Sequence, residues 1–511
     1  MISQIKISDK SFILISLLFY AAFVVIISSL HVVWRDEVTP MTAIMGSSSL
    51  ADLYVKTHSF GHPILWFFLL YLGYQVTHAF WCLKAINILI VVGAVYLFLA
   101  KAPFSRSQKI LFILGFFPLY FYPVFNRSYG LGMLLLFAFA WLYPYRFKRM
   151  FLLGVILLLL ANTHAHCLIT TVAILLALIV EFVFNPESRR SWQAHSFSTF
   201  LGFALIIIGI MFSAFQTMPS HNNIIYSPHL ISVKEFFHAL IKSVFLPGKA
   251  FNHIFGFYST LFATVVIFYM YIYLLNKPYL FVLFASATVA LSLFCHLIFP
   301  SDELRHQGAL YLLLITLWWT EVHVSPIRLN KTLEKFRNSI VRHQEAFLIV
   351  LLFLQVCMAY PAVRDELSAP YSSSQNLGKM LHRQEFENAV LIGEPGAMVE
   401  AVPYYANNEI YLPREGKYKK FTEFTTRQKL QYSLGDLLSA AQQVKIHTGK
   451  TVLLVLGHKL WPEGPFYIEM THGRSFVYTK ASLDDLYAKT TRVTEFRGAS
   501  SDENYDVFLL K

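Results

Sequence analysis

The chain has 511 residues, of which 56% are apolar or aromatic and only 14% charged, where a soluble enzyme carries about a quarter. A mean hydropathy of +0.51, with apolar runs of membrane-crossing length recurring from Ser11 to Tyr360, indicates a polytopic membrane protein and excludes a disordered chain, a fibrous repeat and a disulfide scaffold. The net charge of +12 is no nucleic-acid footprint: residues 362–511 hold 18 Lys/Arg against 18 Asp/Glu and residues 1–361 hold 24 against 12, so the whole excess lies on connections between apolar segments. Cys82, Cys167, Cys295 and Cys357 sit in or beside apolar segments at no zinc-like spacing, so neither a structural disulfide nor a structural metal is expected.

In chain order, the run from Ser11 to Val33 follows Lys6 and Lys10 and is too long for a signal-peptide core. It reads as a retained anchor with a cytoplasmic N-terminus. Ile64 to Val76 is apolar over only 13 residues, too short for about 30 Å of hydrocarbon, and is expected to be re-entrant or interfacial. Further spans are expected at about 80–100, 110–126, 129–145, 150–163, 167–184, 197–215, 254–275, 279–299, 308–324 and 345–361, for about 11–13 transmembrane helices in all. If the spans alternate, one set of connections carries 16 Lys/Arg in 57 residues and the opposite set 7 in 97. The positive-inside rule makes the first set cytoplasmic and puts the chain after residue 361 outside.

After Pro361 the texture changes. Apolar runs shrink to strand length at Ala389–Gly393, Thr451–Leu456 and Tyr505–Leu510, with an amphipathic helix from Thr426 to His447 stopped by Gly449. The expected organisation is therefore a transmembrane domain over 1–361, with a first outer loop at 34–79, and a small extracytoplasmic α/β domain over 362–511. Ser368 to Gln375, rich in serine with Pro370, reads as the linker.

The polar clusters all sort to the outer side. They are Trp34-Arg35-Asp36-Glu37, Gly61-His62-Pro63, Asn126-Arg127-Ser128-Tyr129-Gly130, Asn162-Thr163-His164-Ala165-His166 and Asp302-Glu303-Leu304-Arg305-His306. Ionisable groups at the edge of a low-dielectric slab are costly unless paired or functional, so these clusters mark a polar cavity opening outward. A carboxylate there suits a general base toward a hydroxyl or amine, and arginine suits a clamp on phosphate. That combination at a lipid interface fits transfer of a group from a lipid-linked phosphate donor. No nucleotide-binding loop is present.

A first transmembrane helix followed directly by an outer loop that opens with Asp36-Glu37, then an amphipathic stretch to about residue 60 and a helix starting at Pro63, resembles the GT-C superfamily of integral-membrane glycosyltransferases. The nearest likeness is to protein O-mannosyltransferases and to bacterial aminoarabinose and related sugar transferases that use polyprenyl-phosphate sugars. The resemblance covers residues 11–145, and the tail only in its position. It implies Asp36 as the catalytic base with Glu37 its neighbour, in a bacterial cytoplasmic (inner) membrane with a periplasmic tail. Its implied partners are a polyprenyl-phosphate sugar, membrane lipids and an acceptor glycan, lipid or protein on the outer face. Several superfamily members carry a second acidic residue in the next outer loop, where this chain reads Asn126-Arg127-Ser128-Tyr129. A divalent cation, Mg or Mn, at Asp36 is thus left open beside neutralisation of the phosphate by arginine.

The candidate substrate and phosphate contacts are Arg35, His62, Arg127, Tyr129, His164, His166, Asp302, Glu303, Arg305 and His306. Each has a plainer reading as a helix end, a headgroup anchor or a polar turn, and His164 with His166 make a poor metal pair unless the helix breaks between the apolar runs. The expected reaction is a single displacement with inversion. An O-antigen ligase- or polymerase-like enzyme acting on lipid carriers, and a transporter or flippase, are the alternatives; transporters place charge at the membrane midplane and often show inverted repeats, and neither is found here.

Overall fold

The computed structural model describes residues 8–60, 62–218, 222–224, 232–245, 251, 258–298 and 304–511. Among them six helices are long and apolar enough to cross a membrane: Asp9–Leu30, Cys82–Lys101, Ala165–Phe184, Ser196–Thr217, Pro278–Leu297 and Gln344–Ser368. Shorter apolar helices lie at Leu65–Thr77, Tyr129–Tyr145, Met150–Ala161 and Tyr258–Tyr273, and Leu304–Glu321 is buried along most of its length. The chain is thus a mostly helical, polytopic bundle followed by a small strand-containing domain.

Local chemistry explains where the helices break. The stretch expected as one span over 110–126 is a helix at Arg106–Ile113, a π-helical turn at Phe117–Phe121 and a short turn at Tyr122–Val124. Pro118 and Pro123 lack the N–H an α-helix needs, and side-chain donors reach carbonyls along this broken stretch and at its end. The Tyr20 hydroxyl donates to Pro118 O at 2.5 Å, and Asn87 Nδ2 donates to Tyr122 O and Pro123 O, each at 3.0 Å. Helices Met150–Ala161 and Ser196–Thr217 cross where Gly154 faces Gly202; a Cβ on Gly154 would come within 2.5 Å of Gly202 O, so this approach requires small residues.

Three helical pieces follow the first span. The helix Arg35–Met45 is succeeded by Leu50–Thr57 and by the 13-residue helix Leu65–Thr77, which at 1.5 Å per residue is about 20 Å long. Met41, Ile44, Leu53, Trp66, Phe67, Leu70 and Leu83 form one buried cluster that ties these pieces to the helix Cys82–Lys101.

The tail contains strands β1 (Val390–Glu394), β2 (Ile410–Leu412), β3 (Lys417–Tyr418), β4 (Gln431–Ser433), β5 (Val452–Leu456), β6 (Tyr467–Glu469), β7 (Ser475–Val477), β8 (Thr490–Phe496) and β9 (Tyr505–Leu510). A mixed sheet runs β3-β2-β1-β5-β9-β8, and β4-β7-β6 form a second, small sheet. β1 and β5 pair in parallel with Val390 opposite Val452. Both are buried on both faces, which is why each reads as an unbroken apolar run. The helix expected from Thr426 begins instead at Leu434: Gln431–Ser433 are taken by β4, and the Ser433 hydroxyl accepts from Asp436 N at 3.0 Å as the cap. Its end at Gly449, with φ +64°, is where the sequence placed it.

The serine-rich stretch expected as a linker is a contact surface. The helix Gln344–Ser368 continues into it, Ser374 Oγ donates to Val33 O at 3.0 Å, and Ser372 is buried against Glu503. The tail therefore holds the segment between the first span and Asp36. The Tyr405 hydroxyl accepts from Val33 N at 3.0 Å, Thr39 donates to Glu400 at 3.0 Å, and Val33 and Val38 pack on Ala401.

Candidate functional site

The site is built on the first turn of Arg35–Met45. Trp34 and Arg35 are among the N–H groups such a helix leaves without intrahelical partners. Glu37 Oε1 accepts from Trp34 N at 3.0 Å, and Glu503 of the tail accepts from Arg35 N at 3.0 Å. Glu37 is a carboxylate at the positive end of the helix, where its charge is most stabilising. Four residues after Asp36, Pro40 has no N–H to give to the Asp36 carbonyl. Arg127 takes that carbonyl, donating from Nη1 at 3.2 Å.

Asp36 and Glu37 point in different directions. Glu37 has no exposed side chain: Oε1 faces His31 Nε2 at 2.9 Å, and Oε2 accepts from Asn126 N at 2.8 Å and Asn126 Nδ2 at 2.7 Å. His31 Nδ1 faces Glu366 at 3.0 Å, and Tyr120 donates to the other oxygen of Glu366 at 2.8 Å. Against the effect of burial, Glu37 and Glu366 raise His31 to about 9, which makes it an imidazolium that donates from both ring nitrogens. Burial raises the Glu37 carboxyl, but the His31 charge and the hydrogen bonds from His31, Asn126 and Trp34 hold it below the usual range.

Asp36 keeps 34% of its side chain open, and its Oδ2 carries two guanidiniums: Arg127 Nη1 at 3.1 Å and Arg305 Nη1 at 3.2 Å. Burial raises its carboxyl, and Arg127, Arg35, Arg305 and His62 outweigh that and hold it low. Arg127 also donates to His62 Nε2 at 3.3 Å. Burial and the neighbouring Arg127 push His62 down to about 3, so it stays neutral and accepts. Arg35 turns away to the tail, pairing with Asp502 at 2.8 and 2.9 Å and with Glu503 at 3.4 Å. Trp34 lies between two cations, with Arg35 4.9 Å and Arg305 5.7 Å from its ring centre.

A chain of rings continues from the arginines into the bundle. Tyr129 meets His164 at 5.5 Å, His164 meets His166 at 5.6 Å, and His166 stacks on His306 at 5.1 Å. The helix does break before the histidines: His164 is the extended residue that opens Ala165–Phe184. Gly132 gives it room, since a Cβ there would lie 3.0 Å from His164 Nε2 and 2.9 Å from Cys167 Sγ. A pocket beside Arg305 is lined by Tyr122, Tyr129, His164, Cys167 and Thr170.

The structure therefore brings Asp36, His62, Arg127, Tyr129, His164, His166, Arg305 and His306 into one cluster, and turns Arg35 and Glu37 out of it. Asp302 and Glu303 lie outside the described residues. Among the described residues, no group of three or more His, Cys, Asp or Glu could hold a metal ion. Among the described residues, the imidazoles, guanidiniums and single carboxylate whose Oδ2 is shared by two arginines are not the oxygen-rich set that suits Mg or Mn.

Sequence reasoning did not single out His31, Tyr120, Glu366 or Glu503, and it placed Asn126 in an outer polar cluster without giving it a role. A histidine closing an apolar helix and a glutamate just beyond the last one are local signals of a buried pair, but their partnership lies across 335 residues. Compared with models of protein families and with curated proteins, the chain matches none.

Proposed function

We propose that this cluster transfers a sugar from a polyprenyl-phosphate donor to an acceptor on the outer face of a bacterial cytoplasmic membrane. The observation that carries the reading is the single oxygen of Asp36 shared by Arg127 and Arg305 directly after the first apolar helix. Asp36 is the base that takes the acceptor's proton. Arg127 and Arg305 receive the phosphate, which their planar donor forks fit. Tyr129 and His164 offer an aromatic face and a neutral hydrogen-bonding group suited to a sugar. Phosphate is a competent leaving group, so orientation and electrostatics supply most of the acceleration and no general acid is required.

The roles divide by surroundings. Glu37, with both oxygens taken, positions the helix and does not touch substrate. Arg35 serves the tail contact. The charge asymmetry of the connections supports the outward orientation of the cluster. A GT-C-like bundle agrees with an early acidic helix placed between the first span and a short apolar helix.

The test is consumption of donor by the purified protein. A panel of polyprenyl-phosphate sugars is presented beside nucleotide sugars, and release of polyprenyl phosphate is followed with and without candidate acceptors. Turnover of a lipid-linked donor alone supports the reading. Turnover of nucleotide sugars alone, or of neither class, refutes it.

A further inference from the structure

We propose that Arg127 and Arg305 couple the base to the leaving group: Asp36 holds them before the reaction, and they pass to the donor phosphate as the acceptor's proton arrives on Asp36. This rests on the glycosyltransferase reading of the site.

Charge conservation within the cluster is the argument. A sugar joined to a prenyl chain through a phosphodiester carries one negative charge on phosphate, and Asp36 carries another. In the transfer step the acceptor O–H bond breaks and its proton goes to Asp36, while the acceptor oxygen bonds to the anomeric carbon. The bond from that carbon to the phosphate oxygen breaks, and its electron pair leaves with the polyprenyl phosphate. Asp36 thus falls from one negative charge to none as the phosphate rises from one to two. Asp36 and the phosphate together carry two negative charges before and after; only their location changes.

The geometry suits a transfer of this kind. Both arginines use Nη1 toward the same Asp36 oxygen, at 3.1 and 3.2 Å, so protonating that carboxylate weakens both contacts together. Each arginine also has a hold that does not depend on the carboxylate charge. Arg127 is anchored by the Asp36 backbone carbonyl at 3.2 Å and by His62 at 3.3 Å, and Arg305 lies over Trp34 at 5.7 Å. The guanidiniums remain in place when Asp36 is neutralised, and their attraction to phosphate grows as the bond breaks. An interaction that strengthens toward the transition state accelerates the step, whereas uniform binding does not.

The consequence is opposite to that of an ordinary substrate contact: neutralising Asp36 tightens phosphate binding. The experiment titrates purified full-length wild type, Asp36→Asn and Asp36→Glu with a polyprenyl phosphate and, in parallel, with inorganic phosphate. A thermal melt checks each variant, and Asp36→Ser is a second neutral side chain at this partly open position. Asp36→Asn is expected to bind both probes at least about fivefold more tightly than wild type, the scale of one charge removed from about 4 Å in bulk water and so the lower bound at a protein surface. Asp36→Glu, which keeps the charge, is expected to show no such gain. Unchanged or weaker binding by the neutral variants overturns the coupling, as does failure of either probe to bind any form. The donor reading is judged separately: if the prenyl chain adds no affinity over inorganic phosphate, that reading fails even where the neutral variants bind more tightly.

Discussion

Asp36 and Glu37 are neighbours on one helix, yet about 100° of rotation separates their side chains, and that rotation assigns them opposite parts. Glu37 is sealed against His31 and Asn126, while Asp36 faces the cleft with two arginines on one oxygen. Removing one partner of a buried ion pair leaves the other charge uncompensated, so Glu37→Gln is expected to cost about 3 kcal/mol of stability. A thermal melt reads this; an unshifted melt would show that the His31 bridge does not brace the helix. Gly132 is the second sensitive residue. Gly132→Ala places a methyl 3.0 Å from His164 Nε2 and is expected to displace that ring at a stability cost of about 1–3 kcal/mol, with donor affinity falling alongside. Unchanged donor affinity in a folded variant would remove His164 from the binding surface.

At the scale of elements, the short helix Arg35–Met45 owes its role to a proline. Pro40 frees the Asp36 carbonyl that Arg127 then binds. Pro40→Ala restores an N–H that competes for that carbonyl, so the helix is expected to keep its stability while transfer slows on the order of tenfold to a hundredfold. Equal losses of melting temperature and rate would mean that Pro40 serves folding alone. Most helices were legible because hydrocarbon demands unbroken apolar runs with internal hydrogen bonds. The runs near 80–100, 167–184 and 279–299 became Cys82–Lys101, Ala165–Phe184 and Pro278–Leu297. The run at 110–126 did not survive intact, since hydropathy is blind to what Pro118 and Pro123 do to a ladder of hydrogen bonds. The candidate residues could be sorted to one side by charge pattern. Their convergence on a single carboxylate oxygen could not be read, because helix packing decides it over 269 residues of separation.

At the scale of the whole molecule, the tail caps the helix that carries Asp36. Glu503 reads in sequence as one more acid in the stretch Ser500-Ser501-Asp502-Glu503-Asn504, and nothing local reveals that it is buried under Arg35. Burial, only partly offset by Arg35, pushes Glu503 up to about 8; burial, against hydrogen bonds from Thr422 and Thr39, pushes Glu400 up to about 7. Each folded pKa lies above the ordinary value of 4.5, so the folded state holds protons that the unfolded chain has already released. Stability therefore falls as pH rises from about 4.5, ending near 7 for Glu400 and near 8 for Glu503, by up to about 1.4 kcal/mol per pH unit for each retained proton. Melting temperatures across this window should decline in wild type and flatten in Glu503→Gln with Glu400→Gln; a flat wild-type profile would contradict the assignment. The most direct test of the central claim is release of polyprenyl phosphate from its sugar donor by purified wild type beside Asp36→Asn, with equal melts confirming folding. Wild type is expected to turn over and the variant to lose at least about a hundredfold, the scale of a removed general base. Full activity in a folded Asp36→Asn would contradict the claim.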